Sequence, residues 1–364
     1  MVRWRSGTVV SLRGSWRGAV ELDVFVDGSP MRALAYPPLV GTPVAGDRVL
    51  LNVGALTMGL GTGGYALVVA IPDRLPPDPA SAGTSRDSGH LVKARYTPLQ
   101  PILLGVDEEA SPHRSALVEA GSLDGMPVVT ADLHSALPAI LAGVTMTRPA
   151  ARVAYVMTDG GALPAWFSRT LSGLASSLAG TITAGQSFGG DLEASTVHTA
   201  LLAARHVLSA DVTIVTQGPG NLGTGTTWGF SGVSVGEAIN AIGTLGGRPI
   251  GSLRISDGDG RPRHRGVSHH SLTAYGKVAL LPADLVVPLG LPPALAREVS
   301  SALAPLAARH RMVEVPVEGL YDALLDLPVT LSTMGRSLAQ DRSYFLAAAA
   351  AGHHAATLVA SGAS

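Results

Sequence analysis

Apolar and polar positions partly alternate along the first 72 residues, with Thr8–Leu12, Ala19–Val26, Met31–Tyr36, Asp47–Asn52 and Tyr65–Ile71 each reading as a half-buried strand. Asp27-Gly28 and Asp47 mark turns between segments of hairpin length. The pattern predicts a small antiparallel β-barrel over residues 1–72. A glycine loop, Gly59 to Gly64, joins its last two strands and reads as a flexible connection before it reads as a ligand contact.

Residues 73–89 are rich in Pro, Ser and Gly, have no apolar period, and are expected to be a linker. Beyond them, over 90–364, continuous apolar runs of strand length alternate with helical stretches. Strands are predicted near Leu91–Arg95, Met126–Thr130, Arg152–Met157, Thr181–Ala184, Asp211–Thr216, Pro249–Ile255, Asp284–Val287 and Met312–Val317. Helices are predicted over Leu133–Ala142, Trp166–Leu178, Leu192–Leu208 and Gly236–Leu245. The fold class expected is α/β, a mainly parallel doubly wound sheet preceded by the barrel. In such sheets ligands bind in the loops outside the carboxyl ends of the strands.

Composition narrows the chemistry. The 364 residues include no cysteine, which excludes disulfides, thiolate catalysis and thiolate-held metals and suits a reducing cytoplasm. With 15% charged residues and a net charge of -1, neither disorder nor a broad nucleic-acid surface is expected. The start of the chain lacks a signal-peptide core, and the alanine-rich Phe345–Ala360 is too short and interrupted to span a bilayer. It is expected to be a packed terminal helix. Homo-oligomerisation is compatible with the sequence.

Three loops carry candidate chemistry. Gly218-Pro-Gly220-Asn-Leu-Gly223 follows a strand with dinucleotide-fingerprint spacing, and Thr224 and Thr226 continue it. The recognisable helix starts too late and no ribose-binding acid is in place, so the loop is expected to bind an anion or serve as a glycine turn. Gly185-Gln-Ser187-Phe-Gly189 has nucleophile-elbow spacing, with Asp257 and His264 or His269 to complete a triad in the order Ser, Asp, His. Asp191 is expected to cap the next helix or to transfer protons.

The densest polar cluster runs from Arg254 to His270. Its arginines 254, 261 and 263 suit a phosphorylated or carboxylate substrate, its acids and histidines suit a divalent cation, and one histidine suits acid–base work. Adjacent His269 and His270 are expected to send no more than one ring into the site. Asp132 and His134, and Asp159, stand at strand ends of the same kind. Lys93 and Arg95, spaced to share one strand face, are a further candidate pair where the second domain begins.

On Gly61–Tyr65, His90–Gln100, Phe188–Ala194, Gly218-Pro-Gly, Gly223–Thr226, Gly229–Ser231-Gly and Arg263–His270, the chain resembles an uncharacterised bacterial family of domains of unknown function, family 3866. The resemblance covers most of the chain and implies a family without a known reaction. The leading expectation is an enzyme acting on a phosphorylated or other anionic small molecule. Its loop at Gly218, Gly220, Gly223, Thr224 and Thr226, with Lys93 and Arg95 and arginines 254, 261 and 263, would bind the anion. Asp191, Asp257, His264 or His269 would move protons or hold a metal. A hydrolase using Ser187 and a non-catalytic ligand-binding or regulatory protein are the alternatives.

Overall fold

The computed structural model describes residues 2–77 and 89–359, so most of the expected linker lies outside the described residues. The chain divides into two units. The first contains residues 1–104 and the returning segment Trp166–Ser172; the second contains the rest.

In the first unit, β1 (Trp4–Trp16), β2 (Ala19–Val26), β3 (Ser29–Ala35), β4 (Arg48–Asn52) and β5 (Ala66–Ala70) close into a barrel in the order β1-β2-β3-β5-β4. The alternation seen in sequence sends Val20, Leu22, Val24 and Val26 into its interior, where they meet Ala33, Val49, Leu51 and Val68. One pairing departs from the antiparallel expectation. β3 and β5 run parallel, because β4 pairs with β1 and β5 is threaded between β3 and β4.

The segment expected as one helix from Trp166 to Leu178 is broken into a short turn, a helix over Arg169–Leu174 and a second turn. Its first part serves the barrel unit instead of the sheet. Trp16 Nε1 donates to the Trp166 carbonyl at 2.6 Å, and Arg169 and Arg32 both bond Glu21. Gly18, at φ 71°, is needed where a Cβ would stand 2.3 Å from the Trp166 ring. The predicted strand Leu91–Arg95 is only a two-residue piece, Leu91–Val92, paired with Ile102–Leu103.

The second unit is built on eight parallel strands. These are β6 (Pro127–Ala131), β7 (Val153–Thr158), β8 (Gly180–Ala184), β9 (Leu192–Ala194), β10 (Val212–Gln217), β11 (Arg248–Ser252), β12 (Asp284–Pro288) and β13 (Arg311–Val315), in the order β9-β8-β7-β10-β6-β11-β12-β13. The predicted strand Pro249–Ile255 ends at Ser252, and the predicted helix from Leu192 is a strand followed by a helix over Val197–His206. Principal helices are α1 (Leu137–Thr147), α2 (Val197–His206), α3 (Ser234–Thr244), α4 (His269–Thr273), α5 (Pro293–Leu303) and α6 (Arg342–Leu358). Thr196, not Asp191, caps α2 by accepting from the Thr199 amide.

The alanine-rich α6 is the packed terminal helix the sequence predicts. A Cβ on Gly143 of α1 would fall 1.9 Å from the Ala349 carbonyl oxygen, and one on Gly352 1.9 Å from that of Ile140, so the two helix backbones touch at these glycines. Among the described residues no helix is long and apolar enough to cross a membrane.

Asp284, buried at the start of β12, accepts from Arg248, Arg311 and His354 Nε2, the last at 2.9 Å. Burial alone would raise its pKa; the bonds from His354 and Arg311 and the charges of Arg248 and Arg311 outweigh it and hold the carboxyl below its usual range. A carboxylate depressed in this way contributes stability above its unfolded value near ~3.9, and the contribution is lost as pH falls below that value. Asp284→Asn is therefore expected to cost about 3 kcal/mol at pH 7 by urea unfolding, and to flatten the loss of stability between about pH 5 and pH 2. An unchanged acid limb would show that Asp284 is not the titrating group.

Candidate functional site

The site stands where three adjacent strands end. Gln217 closes β10, Asp132 follows β6, and Arg254 comes two residues after β11. From β6 the chain leaves through α1 across β10 to reach β7; from β10 it leaves through α3 across β6 to reach β11. Right-handed crossovers in opposite directions place those helices on opposite faces and open a crevice between the strand ends.

After Arg254 the chain makes a small hairpin, with Ile255 paired to Val267 and Ser256 to Gly266. Its tip holds Asp259 and a tight turn, Pro262–His264. Ser268 then starts α4: its Oγ accepts from the His270 amide and lies 2.8 Å from His264 Nδ1. The hairpin thus folds His264 back onto the first turn of α4. Ring centroids are 5.0 Å apart for His264 and His269, 4.9 Å for His264 and His270, and 4.4 Å for His269 and His270.

The expectation that only one of the adjacent histidines reaches the site is corrected. One ring nitrogen from each of the three lies within 4.8 Å of the others. Neighbouring side chains on a helix leave the axis about 100° apart, but an imidazole is long enough for its ring to swing back toward a common point. Phe230 stacks on His270 at 3.8 Å with planes 3° apart, which fixes that ring.

Beneath the histidines lies a chain of alternating charges. Arg254 stands 3.7 Å from Asp132 Oδ2 and 3.4 Å from Asp259 Oδ2. Asp259 also accepts from Arg261 at 2.7 and 2.9 Å and from Arg336 at 3.3 Å, while Arg336 reaches Asp341 and Ser256 Oγ donates to Asp341. Three carboxylates and three guanidiniums balance. Arg254 and Arg261 are therefore spent on the protein's own acids, which corrects their expected role as anion ligands. Arg263 is exposed and makes no ion pair among the described residues. Its guanidinium carbon would lie 3.9 Å from a Cβ on Gly225.

Asp132 keeps its charge although it is only 4% exposed. Burial alone would raise its pKa, but the close approach of His270 and the charge of Arg254 bring it below the ordinary carboxylate value. Burial drives His264 the other way, down to about 3, with the Arg254 and Arg261 charges adding to it. His269 is lowered by burial, then by His270 and Arg263. At neutral pH these two imidazoles are uncharged.

Several polar atoms here have no hydrogen-bond partner. Asp132 Oδ2, Gln217 Oε1, His269 Nε2 and His270 Nδ1 are buried without a hydrogen bond; the other such atom among the described residues is Thr62 Oγ1 in the barrel unit. His270 Nδ1 and Asp132 Oδ2 are 3.4 Å apart, an ion-pair distance without hydrogen-bond alignment. Buried polar atoms are nearly always satisfied, so their concentration at one strand edge needs a cause.

The remaining candidates are placed elsewhere or otherwise engaged. Asp257, the acid of the expected triad, is exposed, while its neighbour Asp259 is the one that is buried. Asp191 Oδ2 accepts from the Thr181 amide at 2.7 Å and braces β8. Ser187 is fully buried and its hydroxyl donates to the carbonyls of Met157 and Ala184, an arrangement unsuited to a nucleophile. Lys93 is buried while Arg95 is exposed; the strand stops at Val92 and Ala94 turns to φ 47°, so the two do not share a face.

The glycine loop is not a helix-terminus phosphate cradle. Gly218 is required for packing, since a Cβ there would meet the Ala162 carbonyl oxygen at 2.4 Å, and Gly220 turns at φ 91°. Gly223 bridges to Phe230, the Thr224 amide donates to Gly229, and the hydroxyls of Thr224 and Thr226 lie 3.1 Å apart. This ribbon delivers Phe230 to the histidines. A cavity of about 470 Å³ lined by Leu272, Lys277, Arg309 and His310 contains none of the histidine group.

Asp132 and the histidine at 270 were harder to find in sequence than the arginines, because strand-end acids also cap helices and adjacent histidines look divergent. The usable signal was the repeated strand-to-loop ending.

A family model described as protein of unknown function (DUF3866) matches residues 32–352. No curated protein matches the chain.

Removing one link of the charge chain separates the buried acid from its exposed neighbour. Asp259→Ala, which strands Arg254, is expected to lose about 3–5 kcal/mol in urea unfolding, while Asp257→Ala stays within about 0.5 kcal/mol. Equal losses would contradict the network.

Proposed function

This chain belongs to the protein-of-unknown-function family DUF3866, and we propose that it is an enzyme acting on an anionic small molecule at the carboxyl edge of its parallel sheet. The observation that carries the reading is the concentration of buried polar atoms without a hydrogen bond on Asp132, Gln217, His269 and His270. A folded protein bears that cost, about 1–3 kcal/mol for each such group, where a ligand or reacting group completes the bonds.

Arg263 supports the sign of the ligand. Its charge is free of the acid chain and acts on His269, and it stands beside Gly225, where no side chain blocks approach. A phosphate or carboxylate there would face a guanidinium on one side and neutral imidazoles on the other. Neutral imidazoles offer a ring nitrogen to a cation or to a hydrogen-bond donor of the substrate, and the reading holds with either.

Thermal unfolding in the presence of inorganic phosphate, sugar phosphates, nucleotides and dicarboxylates tests it. A compound at about 100 times its dissociation constant adds roughly 2.7 kcal/mol. The parent is expected to be stabilised by a phosphorylated or carboxylate compound, Arg263→Ala is expected not to be, and the parent but not His269→Ala is expected to consume that compound. Equal stabilisation of parent and Arg263→Ala, or none by any anion, would overturn the proposal.

A further inference from the structure

We infer that His264, His269 and His270 together hold one divalent transition-metal ion, with Asp132 supporting the set from behind His270. The donors are already gathered: one nitrogen of each ring lies within 4.8 Å of the others, against about 3.4 Å between nitrogens around a tetrahedral zinc ion. Closure by at most about 1.4 Å completes the site. His264 and His270 are 2% and 4% exposed and His269 is half-buried, so two of the three rings are shielded from competing water.

The hydrogen-bond inventory selects the nitrogens. His264 commits Nδ1 to Ser268 Oγ, and His270 turns Nδ1 toward Asp132 Oδ2 at 3.4 Å. Both are left with Nε2, and on His269 the buried unpaired atom is itself Nε2. A ligand histidine whose other nitrogen is held by a hydroxyl or carboxylate is the usual support of a bound metal. Phe230 stacked on His270 prevents that ring from turning away.

The donor chemistry sets the class of ion. Three imidazoles and no thiolate suit zinc, iron, cobalt, nickel or copper; magnesium and calcium prefer oxygen donors and are disfavoured. Three protein donors leave a position open, the pattern of catalytic and not purely structural zinc. With Asp132 charged beneath the ligands and Arg263 at His269, that open position suits a water molecule or an anionic group. The inference does not rest on the anion reading, since a metal binds these rings whatever the substrate.

The test uses the full chain, stripped with EDTA and kept in phosphate-free buffer, titrated with Co²⁺ by visible absorption and with Zn²⁺ by calorimetry. One equivalent is expected to saturate the protein, with a Co²⁺ spectrum of four- or five-coordinate nitrogen and oxygen ligands. Asp132→Asn is expected to weaken binding about 10- to 100-fold, and His269→Ala and His269→Gln to weaken it further. His198→Ala, on the exposed side of α2, is expected to bind as the parent does. Urea unfolding of the two His269 variants separates a lost ligand from a lost fold. No binding by the parent at micromolar concentration, or undiminished binding by a folded His269 variant, overturns the inference. Either result leaves the phosphate experiment free to stand or fall by itself.

Discussion

Arg254, only 2% exposed and lying between Asp132 and Asp259, ties the end of β6 to the hairpin that carries His264. A buried guanidinium without acids would be ruinous, and buried acids without it would be protonated or exposed. Each therefore fixes the other. Because Asp132 belongs to a strand end and Asp259 to an excursion, the pairing makes the excursion fold inward, and His264 is carried onto α4 with it. The position of the histidines is a consequence of that charge balance.

The same balance explains which cations remain for a ligand. Arg254, Arg261 and Arg336 neutralise Asp132, Asp259 and Asp341, so the acid chain presents no net charge. What remains beside the acid chain is the exposed Arg263 and the neutral rings of His264 and His269. The proposed cation among the imidazoles and the proposed anion toward Arg263 would be complementary demands on one crevice. The barrel unit, whose interior is filled by aliphatic side chains, supplies none of this group.

Much of the architecture was legible because it follows from periodicity. Alternation along Ala19–Val26 and its neighbours marked the barrel, and apolar runs of strand length such as Asp211–Thr216 marked a sheet covered on both faces. What escaped depends on long-range pairing. Nothing local tells β5 to lie parallel to β3, or breaks the Trp166 segment, whose first residues serve the barrel. At the site, the loop from Arg254 to His270 was visible as a cluster, but the division of labour within it was not. Asp257 and Asp259 look alike in sequence, yet only Asp259 meets Arg254; Arg261 and Arg263 look alike, yet only Arg261 is consumed by an acid. Ser187 matched a motif by spacing, and its burial against two carbonyls became evident only in three dimensions.

The most direct measurement is a crystal structure of the full chain grown with Zn²⁺, with anomalous differences collected at the zinc edge. The account predicts a single strong peak about 2.1 Å from one nitrogen of each of His264, His269 and His270, with Asp132 hydrogen-bonded to His270. An anomalous map empty at that point, with the three rings paired to ordered water or to other side chains, would contradict it.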